Sequence, residues 1–299
     1  MTINVKKIVS DKDFDIIGMS YIGNPRSNTA MFITKKVEPL ISALEPVDNC
    51  LVFAESGIIV SDVLSEKHAF YYSQTPQLDY ANFANQFAEA QFKEECKFKY
   101  KLTSGGYYVS DDVTIPEDAY IEPGCQIGPS VKIGSNARIL KGTVIRHTII
   151  GDNFLSNPYA VIGSNGFTMT DDENGNKIRI PTLGRVIIGN SVEVGAHNNI
   201  SCGSGGDTII EDNVKIDSLV HVGHDDHLCS NCEIASGTIL GGFVTVGSGT
   251  FVGINSTVRN RIEIGNNVFI SMGSSVMKTV EDNAKVIGNP ARPLPKEKS

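Results

Sequence analysis

Residues 210–276 read IEDNVKIDSLVHVGHDDHLCSNCEIASGTILGGFVTVGSGTFVGINSTVRNRIEIGNNVFISMGSSV, and every sixth residue from Ile210 is aliphatic. The series runs Ile210, Ile216, Val222, Leu228, Ile234, Leu240, Val246, Val252, Val258, Ile264, Ile270 and Val276 without a polar member. A fixed internal period of this kind is the signature of a stacked-repeat architecture. Six residues fit neither the helical period of 3.6 nor the two-residue alternation of an ordinary strand. Short strands joined by turns, each strand sending one aliphatic residue inward, do fit, and three hexapeptides then make one triangular coil.

The same pattern extends toward the N-terminus, in Ile115, Ile121, Ile127, Ile133, Ile139 and Ile145 and again in Ile188, Val194 and Ile200. Glycine often follows the aliphatic residue, as in IGPSVK, IGNSVE and VGSGTF, which accounts for many of the 29 glycines and suits a sharp turn or a positive φ. The expected fold is mainly β: a left-handed parallel β-helix with a small N-terminal α/β domain. The polar, turn-rich residues 163–185 read as a loop thrown out of the solenoid, and SCGSGGD around Gly205 as a smaller interruption. Before about residue 105 the period is absent. AMFIT and NCLVFAE look like strands, and VEPLISAL and LDYANFANQFAEAQFKEE like amphipathic helices. The expected organisation is an α/β domain over 1–105, a β-helix over 106–285 and a closing tail over 286–299.

The bulk composition narrows the function. A formal net charge of −8 with scattered Lys and Arg lacks the basic stripe of a nucleic-acid-binding surface. No stretch approaches the roughly 20 apolar residues a membrane span needs, and the N-terminus has no apolar signal core, so a cytoplasmic location is expected. Six irregularly spaced cysteines in such a chain read as reduced thiols. His221, His224, His227, Cys229 and Cys232 form an HxxHxxHxCxxC string, a remote zinc signal of the kind the γ-class carbonic anhydrases suggest for hexapeptide solenoids. Three-residue spacing along one strand turns alternate side chains to opposite faces, which weighs against that ligand set, and no metal is expected.

Three stretches, GSNGF, ENGNKIRIPTLGRVIIGNSVEVGA and DTIIEDNVKIDSLVHVGHD, resemble the UDP-3-O-acylglucosamine N-acyltransferases of lipid A synthesis. AMFITKK and HAFYYSQTPQLDYANFANQF are similar, more loosely, to that family's uridine-binding domain. The C-terminal third, with HDDHLCSNCEIASGTILGG, VGINSTV, GSSVMKTV and GNPAR, instead resembles the nucleotide-sugar N-acetyltransferases of bacterial glycan pathways.

The resemblance implies a homotrimeric acyltransferase whose co-substrate is an acyl thioester, with no tightly bound cofactor. The chain ends without the C-terminal helices that receive acyl carrier protein in the lipid A enzymes, which favours acetyl-CoA as donor and a nucleotide-linked amino sugar as acceptor. The alternative is 3-hydroxyacyl transfer from acyl carrier protein to UDP-3-O-acylglucosamine. By resemblance, His224 matches the general base and Asp225 the acidic residue that orients it in the glycan enzymes. Gly242 and Gly273 match oxyanion or thioester contacts, Phe32 a ring that stacks on the nucleotide, and His221 a substrate contact. Lys278 and Arg292 stand where cations meet the CoA phosphates. Such residues suit amide formation, which needs a base for the attacking amine and donors for the oxyanion.

Overall fold

A computed structural model describes residues 1–288, so Arg292 and most of the closing tail lie outside the described residues. Two compact units emerge. One comprises Met1–Lys99 with Asn165–Arg185 and Cys202–Asp207, and the other Tyr100–Ser164, Val186–Ser201 and the residues from Thr208 onward.

In the second unit, strands of two or three residues build three sheets of seven, nine and ten strands, parallel throughout except for the pairing of Tyr100–Leu102 with Tyr108–Ser110. The result is a left-handed parallel β-helix. Each ladder partner lies one coil away, and from Ile210 to Val276 one coil is 18 residues: Lys215 pairs with Glu233, His227 with Thr245 and Thr257 with Ser275. Three hexapeptides per coil is therefore the observed geometry. In one sheet the ladder crosses both interruptions without losing register, Ile150 pairing with Ile188 and Ile188 with Ile210, whereas the strand Val161–Ser164 shifts register against Asn199–Ser201 between Ile162 and Ser164.

All twelve aliphatics of the long register are at most 4% exposed. Each contributes about 1.5–3 kcal/mol by leaving water, so the column they form is the main source of solenoid stability. A second inward column, two residues earlier in each hexapeptide, holds Val214, Val220, Asp226, Cys232, Thr238 and Val244, all buried. Here burial pushes the Cys232 thiol up to about 12, which makes it an inert packing group.

Gly128 and Gly163, each directly after an isoleucine, take the expected positive φ, but in the long register the glycine after the aliphatic does not. That conformation falls two residues later, once per hexapeptide, at Asn213, Leu219, Asp225, Asn231, Gly237, Phe243 and Gly249 among others. Gly247, directly after Val246, is instead needed for space, because a Cβ there would sit 2.4 Å from the backbone of Gly265 in the next coil. Stacked coils approach too closely at that point for any side chain.

In the first unit, strands Gly18–Met19, Thr29–Ile33, Leu51–Glu55 and Ala69–Ser73 form a parallel sheet in chain order. Successive residues face opposite sides, as a strand requires. Ala30, Leu51 and Phe53 pack against Tyr80, Ala81, Phe83, Ala84 and Phe87 of the helix Pro76–Glu95, while Met31, Ile33, Val52 and Ala54 meet Leu44 and Leu64 on the other side. VEPLISAL forms a kinked 3-10 segment, Lys35–Leu44, where an α-helix was expected. Pro39 lacks an amide hydrogen and restrains Glu38 before it, which disfavours a regular α-helical run. Residues 165–185 fold as a hairpin, Met169–Asp171 with Lys177–Arg179, and their Ile180 joins the helix-side core of this unit.

Candidate active site on the solenoid

His224 follows the strand His221–Val222 at a corner of the coil. Its Nδ1 lies 2.8 Å from Oδ2 of Asp225, and the Asp225 side chain is 3% exposed. Asp225 takes the left-handed conformation of its hexapeptide, φ 60°, which Asp tolerates better than most residues. Its amide donates to Oγ1 of the fully buried Thr208, 2.9 Å away in the preceding coil. The acid is thus fixed by both its backbone and its neighbour before it meets the imidazole.

One coil later, the Gly242 backbone faces the same ring. A Cβ on Gly242 would stand 2.6 Å from Nε2 of His224 and 2.7 Å from Cε1, so only glycine leaves the imidazole its position. Phe243 packs edge-on against the ring with centroids 5.1 Å apart, and the Arg261 guanidinium lies 4.2 Å from the Phe243 centroid, one further coil along. His221 is held below the ordinary imidazole range, first by burial and then by repulsion from His224. His221, His224, Asp225 and Gly242 are therefore gathered at one corner of the β-helix.

The other candidates lie apart from that corner or are otherwise engaged. Gly273 takes φ 67° and has open space around it, but its amide donates to the Ile254 carbonyl at 2.8 Å, leaving its Cα and carbonyl for any thioester contact. Lys278 is exposed. Phe32 belongs to the first unit, half-buried, with its ring centroid 5.2 Å from that of Tyr80. Also within that unit is a cleft of about 590 Å³ lined by Arg26, Gln91, Glu94, Arg185 and Asp207, whose Arg185 already pairs with Asp207 at 3.2 Å.

The structure adds a residue that the sequence reading passed over. Asp226 occupies an inward position, is fully buried, and accepts hydrogen bonds from the amides of Gly223 at 2.7 Å and Val244 at 2.8 Å. It thereby ties the turn that carries His224 to the turn that carries Gly242. Burial raises its carboxyl well above the ordinary carboxylate range, opposed by the two amide bonds. The signal was present as the one acidic member of the second six-residue register. Replacing Asp226 with Ala strands two buried amides at about 1–3 kcal/mol each, so chemical denaturation should show a stability loss of roughly 2–6 kcal/mol. A loss under about 0.5 kcal/mol would mean the two bonds hold nothing.

Parallel short-strand coils with an 18-residue repeat define a hexapeptide-repeat β-helix protein, and residues 112–147 match the bacterial transferase hexapeptide family model. Among curated proteins, the chain is similar to UDP-3-O-acylglucosamine N-acyltransferase of Caulobacter sp. (strain K31), 38% identical over half of this chain and 44% of that protein. It is also similar to the enzyme of that name from Cupriavidus pinatubonensis, 24% identical over 93% of this chain and 82% of the other. The matches at 32–38% identity span about half the length of those relatives. Among solved structures, LpxA from Acinetobacter baumannii shares the fold with a TM-score of 0.57 at 23% identity, over 64% of this chain and 72% of that one. Among the described residues, no helix is long and apolar enough to cross a membrane.

Proposed function

We propose that the chain is an N-acyltransferase that joins an acyl group from a thioester to the amino group of a UDP-linked glucosamine, the acceptor class named in its curated relatives. The observation that carries this reading is the His224–Asp225 pair set against the Gly242 backbone. When His224 Nδ1 donates its hydrogen to Asp225, Nε2 is the basic nitrogen of that tautomer, and the carboxylate favours the imidazolium that forms. The sugar amine attacks the thioester carbonyl while Nε2 takes its proton. A tetrahedral oxyanion forms and collapses, the C–N bond stays, the C–S bond breaks, and the imidazolium returns the proton to the departing thiolate. The Gly242 amide is the proposed oxyanion donor.

The relatives' names favour UDP-3-O-acylglucosamine as acceptor, and with it the 3-hydroxyacyl carrier-protein donor implied by the resemblance to lipid A enzymes, over the acetyl-CoA reading. A second reading, acetyl transfer from acetyl-CoA to a nucleotide-linked amino sugar, draws its support from the Asp on Nδ1 of His224, which matches the glycan acetyltransferases that the C-terminal third resembles. A homotrimer with the His224 corner turned to a neighbouring solenoid, in the cytoplasm, completes the proposal. A thiol-release assay separates the donors. Hydroxyacyl carrier protein with UDP-3-O-acylglucosamine is expected to release thiol. Release from acetyl-CoA with nucleotide-linked amino sugars alone would select the second reading, and silence with both would overturn the acyltransferase assignment.

A further inference from the structure

Beyond that reading, three side chains of different chemistry converge on the sheet that carries Thr208–Ile210 and His227–Leu228. Ile209 pairs with His227 and Ile210 with Leu228, so Glu211 and Cys229, each the next residue, come level in successive coils. Glu211 Oε1 lies 2.6 Å from Nε2 of His227, and Cys229 Sγ lies 3.9 Å from that same nitrogen. One carboxylate oxygen, one imidazole nitrogen and one sulfur all fall within 4.8 Å of one another. The other carboxylate oxygen, Oε2, accepts from the amide of Ser230 at 2.9 Å and its hydroxyl at 2.8 Å.

We propose that Glu211, His227 and Cys229 form a three-donor site for a zinc-class divalent ion, clamping two successive coils, with water in the fourth position. The donor set suits the borderline-soft ions that accept sulfur, nitrogen and oxygen together, and suits neither calcium nor magnesium, which take oxygen. Bonds of about 2.0–2.3 Å in a tetrahedron place donor atoms roughly 3.3–3.7 Å apart. The nitrogen–sulfur separation of 3.9 Å is close to that, and the nitrogen–oxygen pair, now 2.6 Å apart, must open by roughly 0.7 Å to share an ion. Ser230 orients the carboxylate as outer-shell partners do at metal sites.

On binding, the metal takes the place of the thiol proton, which is released to solvent. Without a metal, the Cys229 thiol is pushed up by burial and by the Glu211 carboxylate, while hydrogen bonding, chiefly from the Ser230 hydroxyl, holds the Glu211 carboxyl below its ordinary range. The alternative is a half-exposed His227–Glu211 ion pair, worth about 0–1 kcal/mol, beside an idle thiol.

Only His227 and Cys229 of the HxxHxxHxCxxC string take part, Glu211 from the preceding coil replaces the others, and Cys232 points into the core.

The test uses the full chain, stripped with chelator and titrated with Co²⁺ and Zn²⁺. One equivalent of Co²⁺ should bind with a thiolate-to-cobalt charge-transfer band in the near ultraviolet, displaced by Zn²⁺, and Zn²⁺ should raise the thermal midpoint. Cys229→Ser should remove the band, whereas Cys96→Ser, at an exposed thiol in the other unit, should keep it. Glu211→Gln, which preserves an acceptor for Ser230, should weaken binding at least tenfold with the fold intact. A band that survives in Cys229→Ser, or wild-type uptake no greater than that of a His227→Ala/Cys229→Ser double variant, would overturn the proposal.

Discussion

His224→Ala should lower acyl transfer by about 10²–10⁴-fold, the usual contribution of a positioned general base, at a stability loss of about 1–3 kcal/mol that leaves the solenoid folded. The second half of that expectation follows from placement: removing the mostly buried ring leaves Asp225 without this partner, but the column that holds the solenoid together passes through Val222 and Leu228 on either side of it. The loss should appear in kcat more than in KM, since the base acts on the proton that moves in the transition state. Retention of more than about a tenth of wild-type kcat, measured by thiol release, would remove His224 from the general-base role.

The second large effect is expected from a single added methyl group. Gly242→Ala places a Cβ 2.6 Å from Nε2 of His224, well inside contact distance. The ring has little room to yield, because Phe243 packs against its edge and Asp225 holds Nδ1. Displacing it by about 1 Å misaligns the base and should cost on the order of 10²-fold in kcat. The strain of overpacking adds about 1–3 kcal/mol of destabilisation, readable in denaturant unfolding. Because the methyl leaves the Gly242 amide in place, a large loss would reflect the imidazole geometry and not a missing oxyanion donor. Full activity in Gly242→Ala would show that the ring is free to relocate, and that the close packing of Gly242 on His224 has no catalytic consequence.

The fold was legible because its cause is local and repeated. One aliphatic residue every six positions requires an inward side chain every six positions, and a long uninterrupted run leaves no other regular structure that satisfies it. The space requirement at glycines such as Gly247 was missed for a reason equally physical. Positive φ is a property of one residue's backbone and can be guessed from residue type, whereas the absence of room for a Cβ depends on another coil 18 residues away, as at Gly247 against Gly265. VEPLISAL shows a similar limit, since its apolar spacing suggested a helix while the structure has a 3-10 segment kinked at Val37, two residues before Pro39.

By itself, then, the sequence determined the hexapeptide solenoid, the separate α/β character of the N-terminal third, and the choice of His224 with Asp225 and Gly242 as a candidate site. The first two follow from spacing and residue type along the chain, and the third from the resemblance to hexapeptide acyltransferases. Tertiary structure alone decided which atoms meet. It set Gly242 against the imidazole, buried Asp226 between two turns, placed Glu211 beside His227 and Cys229, and gave the Gly273 amide to Ile254. Each of these contacts joins different coils, and its partners are set by the coil-to-coil register. That register is fixed by the packing of the whole solenoid, which no single stretch of residues contains.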